Sequence, residues 1–249
     1  MYIDTHAHLF EEKIKNTFMD LSSINKVLVP TYKLDHFDRA LDFCLTNKKF
    51  YLAVGVHPEF IDSFDLSLFR DFIKSHTKDI YAIGEIGLDS SYPRFDEQCR
   101  VFVEQLRVAQ EYSLPVSVHL RGEVFDKFFE IMDGFSQIKC ALHCFCGGDK
   151  ELQEATQRGY YISFATNITY KGNRILRRLA SQVPSQLLLI ETDSPNIAPS
   201  GFGRGTVNTS ENIHFVAEVL AKELGKSLEE IAAITSENAI KLFGFMEKK

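Results

Sequence analysis

The stretch Met1-Tyr-Ile-Asp-Thr-His-Ala-His-Leu-Phe10 governs how the rest of the chain is read. Tyr2 and Ile3 open a short apolar strand, and His6 and His8 follow at its far end. Strand side chains alternate faces, so residues two apart point the same way. Two imidazoles therefore project together from a strand tip, as two ligands of one metal ion do. A pair of exposed histidines near a chain end has the same pattern. The choice rests on what the other strands present.

Outward from this segment, short apolar runs alternate with longer amphipathic stretches. The runs are residues 2–4, 26–30, 51–56, 80–83, 115–119, 140–143, 160–163 and 187–190. Helical periodicity predicts helices over 35–47, 66–76, 96–112, 124–134, 150–158, 172–182 and 210–224, then two short ones over 228–233 and 236–243. The connection 11–23 has room for a short helix only. Asp35 and Asp96 are expected as helix N-caps, and Gly134, Gly159 and Gly225 as stops. Eight strands alternating with helices predict parallel pairing and right-handed crossovers. That count suits a single α/β domain over 1–249, a (β/α)₈ TIM barrel with its site at the C-terminal strand ends. The rival is a doubly wound open sheet, but no glycine-rich dinucleotide or Walker-type loop follows an early strand.

Composition narrows the class. The chain has 249 residues, 45% hydrophobic and 25% charged, and a net charge of −6, which argues against a broadly basic nucleic-acid binder. It leaves open an enzyme that holds phosphate through metal ions and a few arginines. No apolar run reaches the roughly 20 residues of a membrane helix, and no secretory signal is seen, so cytoplasmic location is expected. Cys44, Cys99, Cys140, Cys144 and Cys146 are odd in number and lack a Cys-x-x-Cys pair, so reduced thiols are expected. No long apolar stripe asks for a partner, and a monomer is expected.

Ionisable residues gather where the strands end. His6 and His8 follow strand one, His57 strand three, Glu85 and Asp89 strand four, His119 strand five, His143 strand six, and Glu191 and Asp193 strand eight. In a barrel these ends meet at one mouth. His6, His8, His119, His143, Glu85 and Asp193 then form six N/O ligands, enough for two divalent ions with positions left for water. Glu85 is the expected bridge, although alone it could pair with Arg121 or Lys171. The donor set accepts Zn²⁺, Mn²⁺, Co²⁺, Ni²⁺ or Fe²⁺, with Mg²⁺ as a weakly held second ion. His57, Arg121 and Arg204 are the candidate substrate contacts, although His57 could equally brace its loop and each arginine could lie on the solvated surface; Glu191 is expected to orient a ligating histidine. His36, His76 and His214 are expected as surface or helix residues. Tyr92, Phe145, Tyr170 and Phe202 fall in loops near the mouth, where a base could stack, although packing accounts for each as well.

The ordered strings Asp4-Thr-His-Ala-His8, Gly55-Val-His-Pro58, Gly84-Glu-Ile-Gly-Leu-Asp89, Pro115-Val-Ser-Val-His119, His143-Cys-Phe145 and Glu191-Thr-Asp-Ser-Pro195 resemble the TatD family of metal-dependent deoxyribonucleases, within the amidohydrolase superfamily. The similarity runs nearly end to end, through Thr235-Ser-Glu-Asn-Ala-Ile-Lys-Leu-Phe-Gly244. It implies a (β/α)₈ barrel with two divalent ions that hydrolyses DNA phosphodiesters, often as a 3′→5′ exonuclease. The family's ligands fall on His6, His8, Glu85, His119, His143 and Asp193, and its His-Pro on His57. Asp193 is expected to take the proton of the attacking water. A small ester, lactone, amide or phosphoester is the alternative substrate for the same barrel. The chain departs from the family at Ser90-Ser91, at Cys146 in His143-Cys-Phe-Cys-Gly147, and at Gly205-Thr-Val-Asn-Thr-Ser210, which carries no proline.

Overall fold

Eight parallel strands pair strictly in chain order: β1 Tyr2–Asp4, β2 Ile24–Pro30, β3 Phe50–Val54, β4 Ile80–Asp89, β5 Val116–Arg121, β6 Cys140–Leu142, β7 Tyr161–Phe164 and β8 Leu188–Ile190. The computed structural model describes residues 1–14, 17, 19–203 and 205–245. The sheet closes on itself, because Thr5 N donates to Ile190 O at 3.2 Å and Ala7 forms a parallel bridge with Ser194. The expected (β/α)₈ barrel is what forms.

Alternation sorts the side chains into two cores. On β3, Phe50, Leu52 and Val54 face outward, while Tyr51 and Ala53 face the barrel interior. The outward set packs under the helices α1 Phe37–Leu45, α2 Leu66–Ser75, α3 Phe95–Glu111, α4 Phe125–Met132, α5 Asp149–Gln157, α6 Arg174–Ala180 and α7 Ile213–Leu224. The interior set, with Ile3, Leu28, Ala82, Ala141 and Leu189, joins Leu242, Phe243 and Phe245 at the end of the last helix, α8 Leu228–Phe243. These apolar groups fill the N-terminal end of the barrel and leave its other end to polar residues.

Several expectations on boundaries are corrected. The strand expected to end at Ile83 runs on to Asp89, with a register shift between Ile83 and Ile86. Gly84 and Gly87 allow the close approach to β5 along this extension, and a Cβ on Gly84 would lie 2.8 Å from Ser117 Cβ. A Cβ on Gly87, at φ +153, would lie 1.9 Å from His119 O. The two helices expected over 228–243 are one. Thr235 Oγ1 returns its hydrogen bond to Ile231 O inside α8, and the capping box sits only at Ser227 and Glu230. Among the described residues of 5–23 there is no helix. Asp35 lies in a 3-10 turn, and Asp96 lies inside the first turn of α3, where Arg94 is the N-cap. Asp65, which was not expected, caps α2 by accepting from Ser67 N and Leu68 N. Gly134 lies in a 3-10 turn, Asp133–Phe135, whereas Gly159 and Gly225 take positive φ where α5 and α7 end.

His36 is buried rather than at the surface. Its ring packs edge-on against Tyr32 at 4.4 Å and Phe10 at 5.4 Å, and its Nδ1 has no hydrogen-bond partner. Burial, with Lys33 adding to it, pushes its pKa down to about 4. The unfolded chain takes up this proton near pH 6.5 and the fold does not. Its contribution is therefore complete above that pH and is lost as pH falls from 6.5 towards 4. His36→Phe should flatten this part of the curve of Tm against pH. Parallel curves for the two proteins would exclude the assignment.

Candidate metal centre

The barrel mouth is a cavity of about 320 Å³ lined by His8, His57, Glu85, His119, Arg121, His143 and Asp193, with Lys13, Tyr32, Tyr92 and Asn196 at its rim. Backbone alternation aims Ser117, His119 and Arg121 of β5 inward, since Val116, Val118 and Leu120 belong to the outer core. On β4 the outward residues are Ile83, Ile86 and Leu88. The odd step from 83 to 86 is the bulge, and it turns Glu85 into the mouth with Asp89.

Glu85 is the hub. Its Oε2 lies 3.4 Å from both His6 Nε2 and His8 Nε2. Its Oε1 lies 2.8 Å from His119 Nδ1 and 2.9 Å from His143 Nε2. Asp193 Oδ1 stands 3.7 Å from His8 Nε2, on the Oε2 side. Donor atoms of His6, His8 and Asp193 lie within 4.8 Å of one another, as do those of His6, Glu85 and His143, and those of His57, Glu85 and His119. All six residues expected as ligands are thus brought together.

The outer nitrogens decide what the inner ones can do. His8 Nδ1 donates to Pro30 O at 3.0 Å, His143 Nδ1 to Glu191 Oε1 at 3.1 Å, and His119 Nε2 to Asp89 Oδ2 at 3.1 Å. A carbonyl or carboxylate oxygen accepts only, so the outer nitrogen of each ring carries a proton, and the ring in its neutral form turns a lone pair towards Glu85. Lone pairs opposed to carboxylate oxygens at 2.8–3.4 Å require positive charge between them. His57 is the reverse case. Its Nδ1 accepts from Glu59 N at 3.1 Å, so the proton sits on Nε2, 3.7 Å from Glu85 Oε1. Burial pushes its pKa down to about 3, which keeps it neutral. His57 is therefore a donor into the cavity.

The charges agree with this demand. Burial opposes ionisation of Glu85, yet the imidazoles of His143, His57 and His6 hold its pKa well below the ordinary value. Burial also opposes charge on His143, but Glu85 and Glu191 push its pKa up to about 10. His8 is raised against burial by Glu85 and Asp193, whereas burial and then His143 lower His6. The pocket attracts cations, whether as protons or as metal ions, and its imidazole and carboxylate donors suit divalent ions.

A TatD family model, described as TatD related DNase, matches residues 3–244. The chain belongs to the TatD family. It is 30% identical to the Bacillus subtilis (strain 168) protein described as uncharacterized metal-dependent hydrolase YabD, over 98% of this chain and 99% of that one. It is 29% identical to the human protein named deoxyribonuclease TATDN3, over 97% and 94% of the two chains. The crystal structure of YjjV, a TatD homologue from Escherichia coli K12, superposes with a TM-score of 0.91 at 27% identity, covering 98% of each chain. As a TatD-family protein, the chain is a metal-dependent hydrolase.

Other site residues of this TatD-family chain fall as follows. Arg121 lines the mouth and gives its Nη1 to Leu120 O, Cys144 O and Cys146 Sγ, so it is anchored in the wall rather than paired with Glu85. Arg204 lies outside the described residues. Lys171 is exposed and does not line the cavity. Glu191 is fully buried against His143, as expected, and also accepts from Cys144 N at 2.6 Å. Phe145 is buried against Phe125, a core role. Two carboxylates had been given no role of their own. Asp89 orients His119, and although burial opposes its charge, hydrogen bonds from His119 and Ser91 hold its pKa below the usual carboxylate range. Its signal was the two-residue spacing from Gly87. Asp4 is fully buried and ties the β1 end to β8, accepting from Thr192 Oγ1 at 2.6 Å and Thr192 N at 3.0 Å; burial pushes its pKa up to about 7.

Behind Asp193 lies Asn208, fully buried, whose amide donates to Thr192 O at 2.9 Å and Ile197 O at 2.6 Å. Its Oδ1 accepts from Thr209 N and Asn212 Nδ2, both at 2.9 Å. Asn208→Ala leaves these buried donors without their acceptor, while Thr166 Oγ1 still faces the two carbonyls, and should cost about 3 kcal/mol in denaturant unfolding. A loss below about 1 kcal/mol would show that water replaces the amide.

Proposed function

We propose that this chain is one catalytic unit that hydrolyses DNA phosphodiesters at single-stranded or 3′ ends, as a 3′→5′ exonuclease with two divalent ions. The observation that carries it is the pair of Glu85 oxygens, each facing a pair of inward imidazole nitrogens. His6, His8, Asp193 and one Glu85 oxygen would hold one ion, and His119, His143 and the other oxygen the second. The donor set fits: three of the four histidines hold a proton on the outer nitrogen, which leaves the inner one free to bind an ion, and the carboxylates balance the charge. His57 is excluded as a ligand because its inward nitrogen bears the proton.

Divalent ions bound there supply Lewis acidity, which acidifies water and offsets charge on the phosphoryl oxygens. The chain's own groups do the rest. Asp193, at the cavity wall, takes the proton of the attacking water. His57 Nε2–H donates to a phosphoryl oxygen, and Arg121 adds fixed positive charge beside it. The deoxyribonuclease name of the human relative supports DNA as the substrate. Five free cysteines, three of them buried, suit a reducing cytoplasm. The protein is expected to act there without an obligate partner.

The test is nucleotide release from 3′- and 5′-labelled single-stranded DNA with Mn²⁺ or Mg²⁺, with and without a chelator. Release that depends on metal, beginning from the 3′ label, is expected. Metal-loaded protein that leaves DNA intact while cleaving small esters would overturn the reading in favour of a small-molecule hydrolase.

A further inference from the structure

A second cavity, of about 520 Å³, opens beside the metal centre between the segment after β7 and the loop that follows β8. Lys13 and Asn196 line both cavities, so the two adjoin at these residues. The chain has 21 Phe and 9 Tyr, and almost all are buried or half-buried. Among the described residues only Tyr170, 38% exposed, and Phe202, 43% exposed, are exposed aromatics, and both line this cavity. Two partly solvated rings on one cavity wall offer apolar faces to a ligand.

Both rings are held in place before any ligand arrives. Tyr170 OH donates to Ala198 O at 2.9 Å, and its carbonyl accepts from Arg177 Nη1 at 2.7 Å. Phe202 stands edge-on to Phe215 at 5.8 Å. The rest of the wall combines Pro195, Pro199 and Val207 with small residues. A Cβ added to Gly203 would meet only Thr206 Oγ1, at 3.8 Å. The result is a shallow slot with aromatic faces and polar edges, whose cationic Lys13 stands at the junction with the metal centre.

We propose that this cavity is a nucleobase subsite, which receives the base of a nucleotide beside the scissile phosphate on Tyr170 and Phe202. Its volume suits one nucleoside. The aromatic faces suit any base, because stacking is indifferent to the hydrogen-bonding edge. Lys13 lies where the linking phosphate passes from one cavity to the other. The inference rests on the nuclease reading and deepens it: the enzyme selects a nucleotide with a base over a bare sugar-phosphate chain.

The test is cleavage of single-stranded oligonucleotides in which one abasic residue is moved along the strand. For wild type, cleavage should fall by roughly 5- to 150-fold at one fixed offset from the abasic residue, the range of a lost base–aromatic stack. Phe202→Leu keeps an apolar side chain against Phe215 but removes one aromatic face, and Tyr170→Leu removes the other. Both variants should lose the discrimination at that offset. Wild type that cuts all oligonucleotides alike, or variants that discriminate as wild type does, would overturn the subsite and leave the nuclease intact. Wild type that cuts no oligonucleotide would overturn the nuclease reading and the subsite with it.

Discussion

Glu85→Ala is expected to abolish turnover, lowering kcat/KM by more than about a thousandfold, because Lewis-acid stabilisation is worth several kcal/mol and each 1.36 kcal/mol is a factor of ten. The residue gives one oxygen to each half of the site, so no other single change removes a donor from both. It also carries the negative charge that offsets His143 and His8. Without it the imidazoles face one another, with His6 Nε2 and His8 Nε2 already at 3.2 Å and His119 Nδ1 and His143 Nε2 at 3.3 Å. Metal content measured on the purified variant should therefore fall together with activity. The fold should survive, since Glu85 lines the mouth and the apolar residues that fill the barrel and pack under the helices are untouched. A variant that retained both ions and full turnover would remove the bridge from the mechanism.

Much of this centre was legible before any coordinates, for a physical reason. Parallel strands buried on both faces leave an apolar run followed by the residue that emerges at the rim, so His6, His8, His119, His143 and Asp193 stand out by position alone. Glu85 was found for the wrong local reason. The strand was expected to stop at Ile83, whereas Glu85 sits inside a longer strand at a bulge, and glycine reads the same whether it ends a strand or lets two strands approach. The role of His57 was open because a histidine's function depends on which nitrogen bears the proton. That in turn depends on Glu59 N, a backbone group with no signature in sequence. Asp4 and Asp89 were passed over for a similar reason, since they act through Thr192 and His119 rather than on the cavity. The first crossover and the undivided α8 show the limit of capping signals: Ser236 resembles a helix start, but the burial of Ala232, Thr235 and Ala239 carries the helix through it.

Asp193→Asn separates holding metal from moving a proton. Asp193 takes a left-handed backbone, φ 53, with its N–H donated to His6 O at 2.9 Å. Asparagine tolerates that conformation as aspartate does, so the loop after β8 and its link to β1 should be retained. The amide keeps one oxygen for an ion on the His6 and His8 side but cannot accept the proton of the attacking water at useful basicity. A general base contributes about 10²–10⁴-fold, so kcat should drop by at least about a hundredfold while the Tm changes little. The split between metal content and rate identifies the role. Ions retained with slow turnover assign Asp193 as the base. Loss of an ion with slow turnover makes it a ligand first, and proton transfer must then be sought elsewhere. Full turnover with both ions in place would show that the water gives its proton to another group, with Glu85, Glu11 and Glu59 as the other carboxylates that line the cavity.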